Sequence, residues 1–451
     1  MKNKSSDTHK LLKQHGYTWL PNYQEIARWA AVHREDYHND VALIQAVAAE
    51  FGSGRPKAGM RVKPQPYRLW SNPVLPMDEG AIGQLETALR LPVAVAGAGM
   101  PDLHRGYSLP IGGVVVLDHA ISPAFVGYDI SCMVMLTIFD TPKGMDAPAL
   151  VDPDVRERYL RWVMKSTSFG LGSKTLGMEH AVMDHPDWLA IQQVRKLKLL
   201  AASQLGSSGA GNHFADIVAG SYADGSGEFV ALLTHSGSRG IGNKLGHYYS
   251  HLADETAMQK NTFPGGYGWF ELNSAEGQEY LHAMQLMGAY STANHELIHR
   301  RFAEVSGLAP VEMITNRHNF AWVNEHGRVV HRKGATPAGL GQLGIIPGSS
   351  GSDSFLVRGK GNAASWDSAS HGAGRPWSRT EAKKRYDARA FQQHMDRMGI
   401  AHFGVAHDET VSAYKDINAV MQAQSDLVDV VATLRPRVVV MGGHQQADDG
   451  D

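Results

Sequence analysis

Between Pro92 and Leu136 the chain alternates short apolar runs with glycine and proline turns. Val93-Ala94-Val95-Ala96 and Gly113-Val114-Val115-Val116-Leu117 have the texture of buried strands with tight connections. Strand-like pieces recur at Phe229-Val230-Ala231-Leu232-Leu233, Val329-Val330 and Phe355-Leu356-Val357, each closed by a glycine-rich turn. Helical spacing marks Tyr23 to Ala30, Val41 to Phe51, and two longer amphipathic stretches over 186–205 and 275–306. Near the end the pattern predicts a helix from Asp426 to Leu434 with Ser425 as N-cap, a strand from Arg437 to Met441, and a frayed polar tail from His444 to Asp451. No repeat or long linker divides the chain. The expectation is one mixed α/β domain over residues 61–443, a helical extension over 1–60 ended by Gly52-Ser53-Gly54-Arg55-Pro56, and a tail over 444–451.

A hydrophobic share of 43% with 20% charged residues is ordinary for a globular enzyme. The formal net charge of −2 supplies no global basic field, so a nucleic-acid substrate would need basic groups local to a cleft. Cys132 is the single cysteine, which rules out an intrachain disulfide and favours a reducing compartment. The amino terminus is polar, and no stretch approaches the roughly 18 apolar residues needed to span a bilayer. A soluble cytoplasmic protein is expected.

Two residue types are abundant: 48 glycines and 23 histidines. Glycine turns allow close backbone approach to phosphates, and histidines supply ligands, bases or nucleophiles. His213 (Gly211-Asn212-His213-Phe214), His235 (Thr234-His235-Ser236-Gly237), His331 (His331-Arg332-Lys333-Gly334) and His371 (Ser370-His371-Gly372) each enter or follow such a turn. With Asp129 and Cys132 they compose a plausible metal set. A second cysteine for a zinc-finger hook is absent, and thiolate, imidazole and carboxylate together suit Zn, Mn, Co or Fe. Two ions sharing the thiolate would sit about 3.5–4 Å apart and could clamp a phosphoryl group. His295-Glu296-Leu297-Ile298-His299 matches the His-Glu-x-x-His pattern of zinc proteases, but no third ligand follows at a suitable spacing, and a partly exposed helix face is preferred.

Taken in order, Met100-Pro101-Asp102-Leu103-His104-Arg105-Gly106-Tyr107, Gly127-Tyr128-Asp129-Ile130-Ser131-Cys132, Gly211-Asn212-His213-Phe214, His235-Ser236-Gly237-Ser238-Arg239-Gly240, His331 to Thr336, Pro347-Gly348-Ser349 and Ser370-His371-Gly372-Ala373-Gly374-Arg375 resemble the RtcB family of RNA-splicing ligases. The resemblance covers roughly residues 90 to 442 and excludes the first 60 or so. It implies an α/β domain with central mixed sheets flanked by helices and a deep metal-containing cleft. It also implies two Mn²⁺ ions bridged by Cys132, one completed by Asp129 and His213 and the other by His235 and His331. His371 would attack GTP and carry GMP. Asn212, Phe214, Asp216, Ser349, Ser354, Gly372, Ala373, Gly374 and Tyr414 would contact the nucleotide, and Arg239, Arg375 and Arg379 would hold RNA phosphates.

The implied activity joins RNA 2′,3′-cyclic phosphate or 3′-phosphate ends to 5′-hydroxyl ends, in splicing or repair, with archease as a possible activator. Histidine suits this because a neutral imidazole attacks phosphorus readily and the phosphoramidate is labile enough to pass GMP onward. A metal-dependent end-processing phosphoesterase and a non-catalytic RNA binder are the competing classes. Four positions depart from the family pattern. Ser131 stands where Gly or Asn is usual, Met133 where Gly is usual, Asp216 where Glu is usual, and Met441 replaces a lysine at the base. These predict a narrowed approach to the thiolate and a relaxed or altered nucleotide preference.

Overall fold

The computed structural model describes residues 2–17, 22–52, 58–76, 78–175 and 177–443. Its larger sheet runs, in spatial order, Ala309–Arg317, Met133–Asp140, Glu228–Ser236, Phe214–Tyr222, Val428–Met441, Ser354–Gly359 and Leu343–Ile346, with Ala401–Phe403 alongside the long fifth strand. Neighbours along this path are antiparallel. Residues 133–139 are buried without alternation, which explains their continuous apolar run: both faces of that strand are covered. The sheet curls until its edges approach. Asn316 accepts a 2.8 Å bond from Ile345 N–H and donates to Ile345 O at 3.3 Å, giving edge backbone a partner it would otherwise lack.

A second sheet runs Asn319–Val323, Arg328–Lys333, Ile111–Asp118, Ala94–His104 and Tyr67–Leu69. The chain passes from the first sheet to the second at His318, the residue between Arg317 and Asn319. The 32-residue helix Ala275–Ser306 is capped by Ser274, whose hydroxyl accepts from Gly277 N–H, and ends at Gly307 with φ 72°. Its Tyr280, Met284, Met287, Tyr290 and Leu297 share a core with Trp188, Ile241, Leu245 and Tyr249. Each such buried side chain contributes about 1.5–3 kcal/mol. The helices Lys2–Gln14, Tyr23–Val32 and Asp40–Phe51 build a separate small cluster around Leu12, Ile26, Leu43 and Val47.

Two expected helices are corrected. The stretch 186–205 is three short helices, Asp187–Ala190, Gln192–Arg195 and Lys198–Gln204. Ile191 between the first two adopts φ −94°, ψ 118° and buries its side chain in the core with Trp188 and Val194. Residues 428–434, expected as helix, belong to the 14-residue strand Val428–Met441. That strand is paired on both sides, and ladder bonds plus Val428, Val430, Val431 and Thr433 on a pleated surface outweigh local helical spacing. The expected tail 444–451 and residues 53–56 of the expected break lie outside the described residues. No helix among the described residues is long and apolar enough to cross a membrane.

Candidate functional site

Four segments meet at one end of the larger sheet. Cys132 directly precedes Met133–Asp140, His213 precedes Phe214–Tyr222, His235 is next to last in Glu228–Ser236, and His318 follows Ala309–Arg317. Antiparallel order brings the starts and ends of neighbouring strands to the same end. Met133 pairs with both Ser236 and Arg317, and Phe214 pairs with His235. His318 N–H then donates to Cys132 O at 3.1 Å, extending the ladder by one residue. Asp129 arrives on the preceding turn, where Cys132 N–H donates to Asp129 O at 3.1 Å. That turn forces Ser131 to φ 61°, a left-handed conformation that Gly or Asn adopts more easily.

The ligand atoms converge closely. Cys132 Sγ lies 3.0 Å from His235 Nε2 and 3.6 Å from His213 Nε2. His235 Nε2 is 3.2 Å from His318 Nε2, and His213 Nε2 is 3.0 Å from Asp129 Oδ2. Cys132 therefore belongs to two groups, Asp129-Cys132-His213 and Cys132-His235-His318. His235 donates from Nδ1 to Asn212 O at 3.1 Å, and His213 from Nδ1 to Ser208 O at 3.0 Å, which turns both Nε2 atoms toward the cluster. Burial first, and neighbouring histidines second, push His235 and His318 well below the ordinary imidazole value. Burial works to raise Asp129, but the hydrogen bond and charge of His213, with Cys132 and Arg239, outweigh it and hold the carboxyl low. Asp129 Oδ1 and His318 Nδ1 are buried without a hydrogen-bond partner. The converging nitrogens of His213, His235 and His318, the last two depressed by burial, make with the Cys132 thiol and an Asp129 carboxylate that keeps an orphaned oxygen a donor set that fits divalent cations.

His371 stands beside this cluster, its ring 5.1 Å from that of His318. It follows the strand Ser368–Ser370, which pairs with Ala335–Pro337. Asp102, fully buried, accepts from His371 Nδ1–H at 2.7 Å and from His371 N–H at 3.2 Å. Burial would raise Asp102, yet the hydrogen bond and charge of His371, with His104 and Lys415, keep it below the usual carboxylate range. Cys132, His235, His318 and His371 line one cleft of about 1140 Å³.

The family model described as tRNA-splicing ligase RtcB matches residues 84–149 and 153–442. The chain belongs to the RtcB family. Among its relatives, the RNA-splicing ligase RtcB of Escherichia coli (strain K12) is 33% identical over 407 residues, covering 84% of this chain and 97% of that protein. The tRNA-splicing ligase RtcB of Thermococcus kodakarensis is 30% identical over 432 residues, covering 76% and 87%.

Most of the residues expected from the RtcB resemblance line the cleft: Cys132, Asn212, Phe214, Asp216, His235, Ser349, Ser354, His371, Gly372, Ala373, Gly374, Arg375, Arg379 and Tyr414. Gly374, at φ 73°, lets the loop pass so close to Asp102 that a Cβ would collide with Asp102 O. Ser354 Oγ accepts from Gly348 N–H at 3.0 Å, and Ser349 N–H donates to Ser352 Oγ at 2.7 Å. Arg375 pairs with Glu409 at 2.7 Å and donates to Tyr414 OH at 2.6 Å. Arg379 binds Asp408 at 3.3 Å and also Glu409. The two arginines overcome the cost of burial and hold Glu409 at about 2. Phe214 sits across the ladder from Met441, and Asp216 across from Val439, so these four share one wall. Asp216 Oδ1 has no partner, and burial pushes this carboxyl well above its ordinary value.

Four expectations are corrected. His331 is not in the cluster: its Nε2 accepts from Ser122 N–H at 3.0 Å and its Nδ1 donates to Val329 O at 3.2 Å, so both ring nitrogens serve the fold. His318 occupies the expected place. Arg239 is buried behind His213, with Nε donating to Ser207 Oγ at 3.2 Å and Nη1 3.2 Å from His213 Nδ1, so it backs His213 and is not among the residues lining the cleft. Met133 turns toward Thr292 of the long helix, with its sulfur 3.9 Å from Thr292 Oγ1, and does not narrow the approach to the thiol. The His-Glu-x-x-His pair is buried, not on a partly exposed face. His295 and His299 flank Thr234 Oγ1 at 2.6 and 2.7 Å, and Glu296 points away toward His180. Sequence reading missed His318 because no glycine turn flags it. Its only signal is a histidine in Asn316-Arg317-His318-Asn319, between two strand-like runs. Asp102 was visible in its motif, but its partner is 269 positions away.

Proposed function

We propose that this chain is an RNA ligase that joins RNA 2′,3′-cyclic phosphate or 3′-phosphate ends to 5′-hydroxyl ends through GMP carried on His371, in cytoplasmic RNA splicing or repair. The observation that carries this reading is His371 locked by Asp102 beside a thiol-imidazole-carboxylate cluster in one cleft. Residues 61–443 would form the catalytic domain, residues 1–60 an extension and residues 444–451 a tail, and archease is a candidate activator.

Asp102 fixes the histidine tautomer: Nδ1 keeps its proton, and Nε2 carries the lone pair. That lone pair attacks the α-phosphorus of GTP, the N–P bond forms, and the P–O bond to pyrophosphate breaks. The ionised Asp102 stabilises the positive charge that develops on the ring. A 2′,3′-cyclic phosphate end is first opened by water to a 3′-phosphate; a 3′-phosphate oxygen then attacks the phosphorus and takes GMP from Nε2, and the 5′-hydroxyl, losing its proton, displaces GMP to seal the strand. Activation is needed because GMP is a far better leaving group than the oxide of a phosphate monoester. Asp129, Cys132 and His213 would hold one Mn²⁺, and Cys132, His235 and His318 a second. When bound, such ions neutralise phosphate charge and stabilise the leaving group. Asn212, Phe214, Ser349, Ser354, the Gly372-Ala373-Gly374 turn and Tyr414 would cradle the nucleotide. Arg375 and Arg379, anchored on Glu409, would present charge to RNA phosphates.

An altered nucleotide preference is favoured by one wall. Met441 opposite Phe214 offers no charge, and burial tips Asp216, whose Oδ1 has no partner, toward its uncharged form against a backbone bond from Val440. Incubation with Mn²⁺ and each of the four NTPs, followed by mass spectrometry, is expected to find a nucleotidyl adduct on His371 that His371→Ala abolishes. RNA with cyclic-phosphate and 5′-hydroxyl ends should then be joined. Phosphate opening without an adduct would support a phosphoesterase instead, and strict GTP use would reject altered preference.

A further inference from the structure

Outside the nucleotide wall, the cleft carries two tyrosines with no role in the reading above. Tyr107 is 52% exposed, Tyr128 is half-buried, and both line the cleft with their ring centroids 5.8 Å apart. Tyr128 is braced from behind. His247, on the helix Arg239–Lys260, stacks on it at 3.8 Å with the planes 17° apart. Gly246 makes that bracing possible, because a Cβ there would lie 2.9 Å from Tyr128 Cα. An exposed aromatic held rigid by a second ring has already lost the freedom that a ligand would otherwise have to remove.

The position of the pair is as informative as its shape. Tyr128 immediately precedes Asp129 of the metal cluster. Lys333 donates from Nζ to Tyr107 O at 2.6 Å, and its Cε lies 3.3 Å from where a Cβ on Gly127 would sit. The next residue, Gly334, abuts His371, since a Cβ there would lie 3.1 Å from His371 Cε1. Tyr128 thus adjoins the cluster, and Tyr107 is tied through Lys333 to the strand end that abuts the nucleophile; in the RNA-joining reading a reacting RNA terminus lies between these groups. An aromatic face there takes any nucleobase, because every base has a π-face.

We propose that Tyr128, braced by His247, and Tyr107 form a stacking platform for the terminal nucleobase of an RNA end to be joined. The platform positions the end without reading its sequence, and this assignment rests on the RNA-joining reading.

The test uses the full chain with RNA bearing cyclic-phosphate and 5′-hydroxyl ends. Tyr128→Ala should raise the RNA KM about ten-fold, while Tyr128→Phe keeps it. GTP labelling of His371 and bound manganese should not change in either variant, which separates the effect from damage to neighbouring Asp129. His247→Ala, on a separate element, should raise KM in the same direction. Substrates with a terminal abasic nucleotide, at the 3′ end in one and the 5′ end in another, identify the strand. The abasic end that stacks should cost the wild type about ten-fold and cost Tyr128→Ala nothing further. A wild-type KM in Tyr128→Ala, or an abasic penalty undiminished in that variant on both strands, overturns the platform. Should the wild type join nothing, the ligase reading fails separately. Fluorescence anisotropy with the same RNAs then decides the platform, through weaker binding by Tyr128→Ala or its absence.

Discussion

Two sets of buried histidines occur in this molecule, and they differ in what their nitrogens touch. His213, His235 and His318 each aim a ring nitrogen at a sulfur, a carboxylate or another imidazole. His295, His299 and His331 instead spend both ring nitrogens on hydroxyls and backbone groups. Burial depresses the titration of members of both sets, so depressed basicity does not mark a ligand. What sets the first group apart is convergence on a thiol and a carboxylate. The second set even contains the better sequence motif, His-Glu-x-x-His, whose histidines hydrogen-bond threonines in the core.

The largest effect is expected at Cys132, shared by both candidate metal groups. Cys132→Ala should lower metal affinity by more than about 100-fold, beyond the usual cost of losing an outer-shell partner, with loss of RNA joining. Metal analysis of the purified variant checks this.

A smaller effect is expected in the hydrogen-bonded set. His331→Asn should keep its metal but lose about 2–4 kcal/mol of stability through unpaired backbone groups and a cavity, as read by denaturant unfolding. Its pH response has a defined sign. Burial drives folded His331 to about 4 from an ordinary 6.5, against opposing backbone bonds to Val115 and Val329. The unfolded chain therefore takes up a proton below about 6.5, while the folded chain does so only near 4. Its contribution is complete above the upper value and lost as pH falls toward the lower one, at about 1.4 kcal/mol per unit. Unfolding of the variant should be flatter than wild type by that slope across this window.

The smallest effect concerns the turn that delivers Asp129. Ser131→Gly relieves a left-handed serine and removes a buried hydroxyl with no partner. It should stabilise the protein by about 1 kcal/mol in the same unfolding assay, with no change in bound metal.

Much of the fold was legible from local pattern. The apolar runs at 113–117 and 229–233 are strands, and 275–306 is one helix. Misreadings arose where distant pairing overrode local spacing, as in Val428–Met441 between two partner strands. The site divides the same way. Asp129, Cys132, His213, His235 and His371 announce themselves by neighbouring turns, and the structure brings them together. His318 and Asp102 gain their importance only through partners remote in sequence, and His331, despite its glycine turn, is claimed by Ser122 and Val329.

The central claim, that His318 and not His331 completes the second ligand group, is tested by the metal content of His318→Ala and His331→Asn, purified together at pH 8 in manganese. His318→Ala is expected to lose at least half of the metal bound by the wild type while His331→Asn retains all of it. Full metal in His318→Ala, or loss confined to His331→Asn, would contradict it.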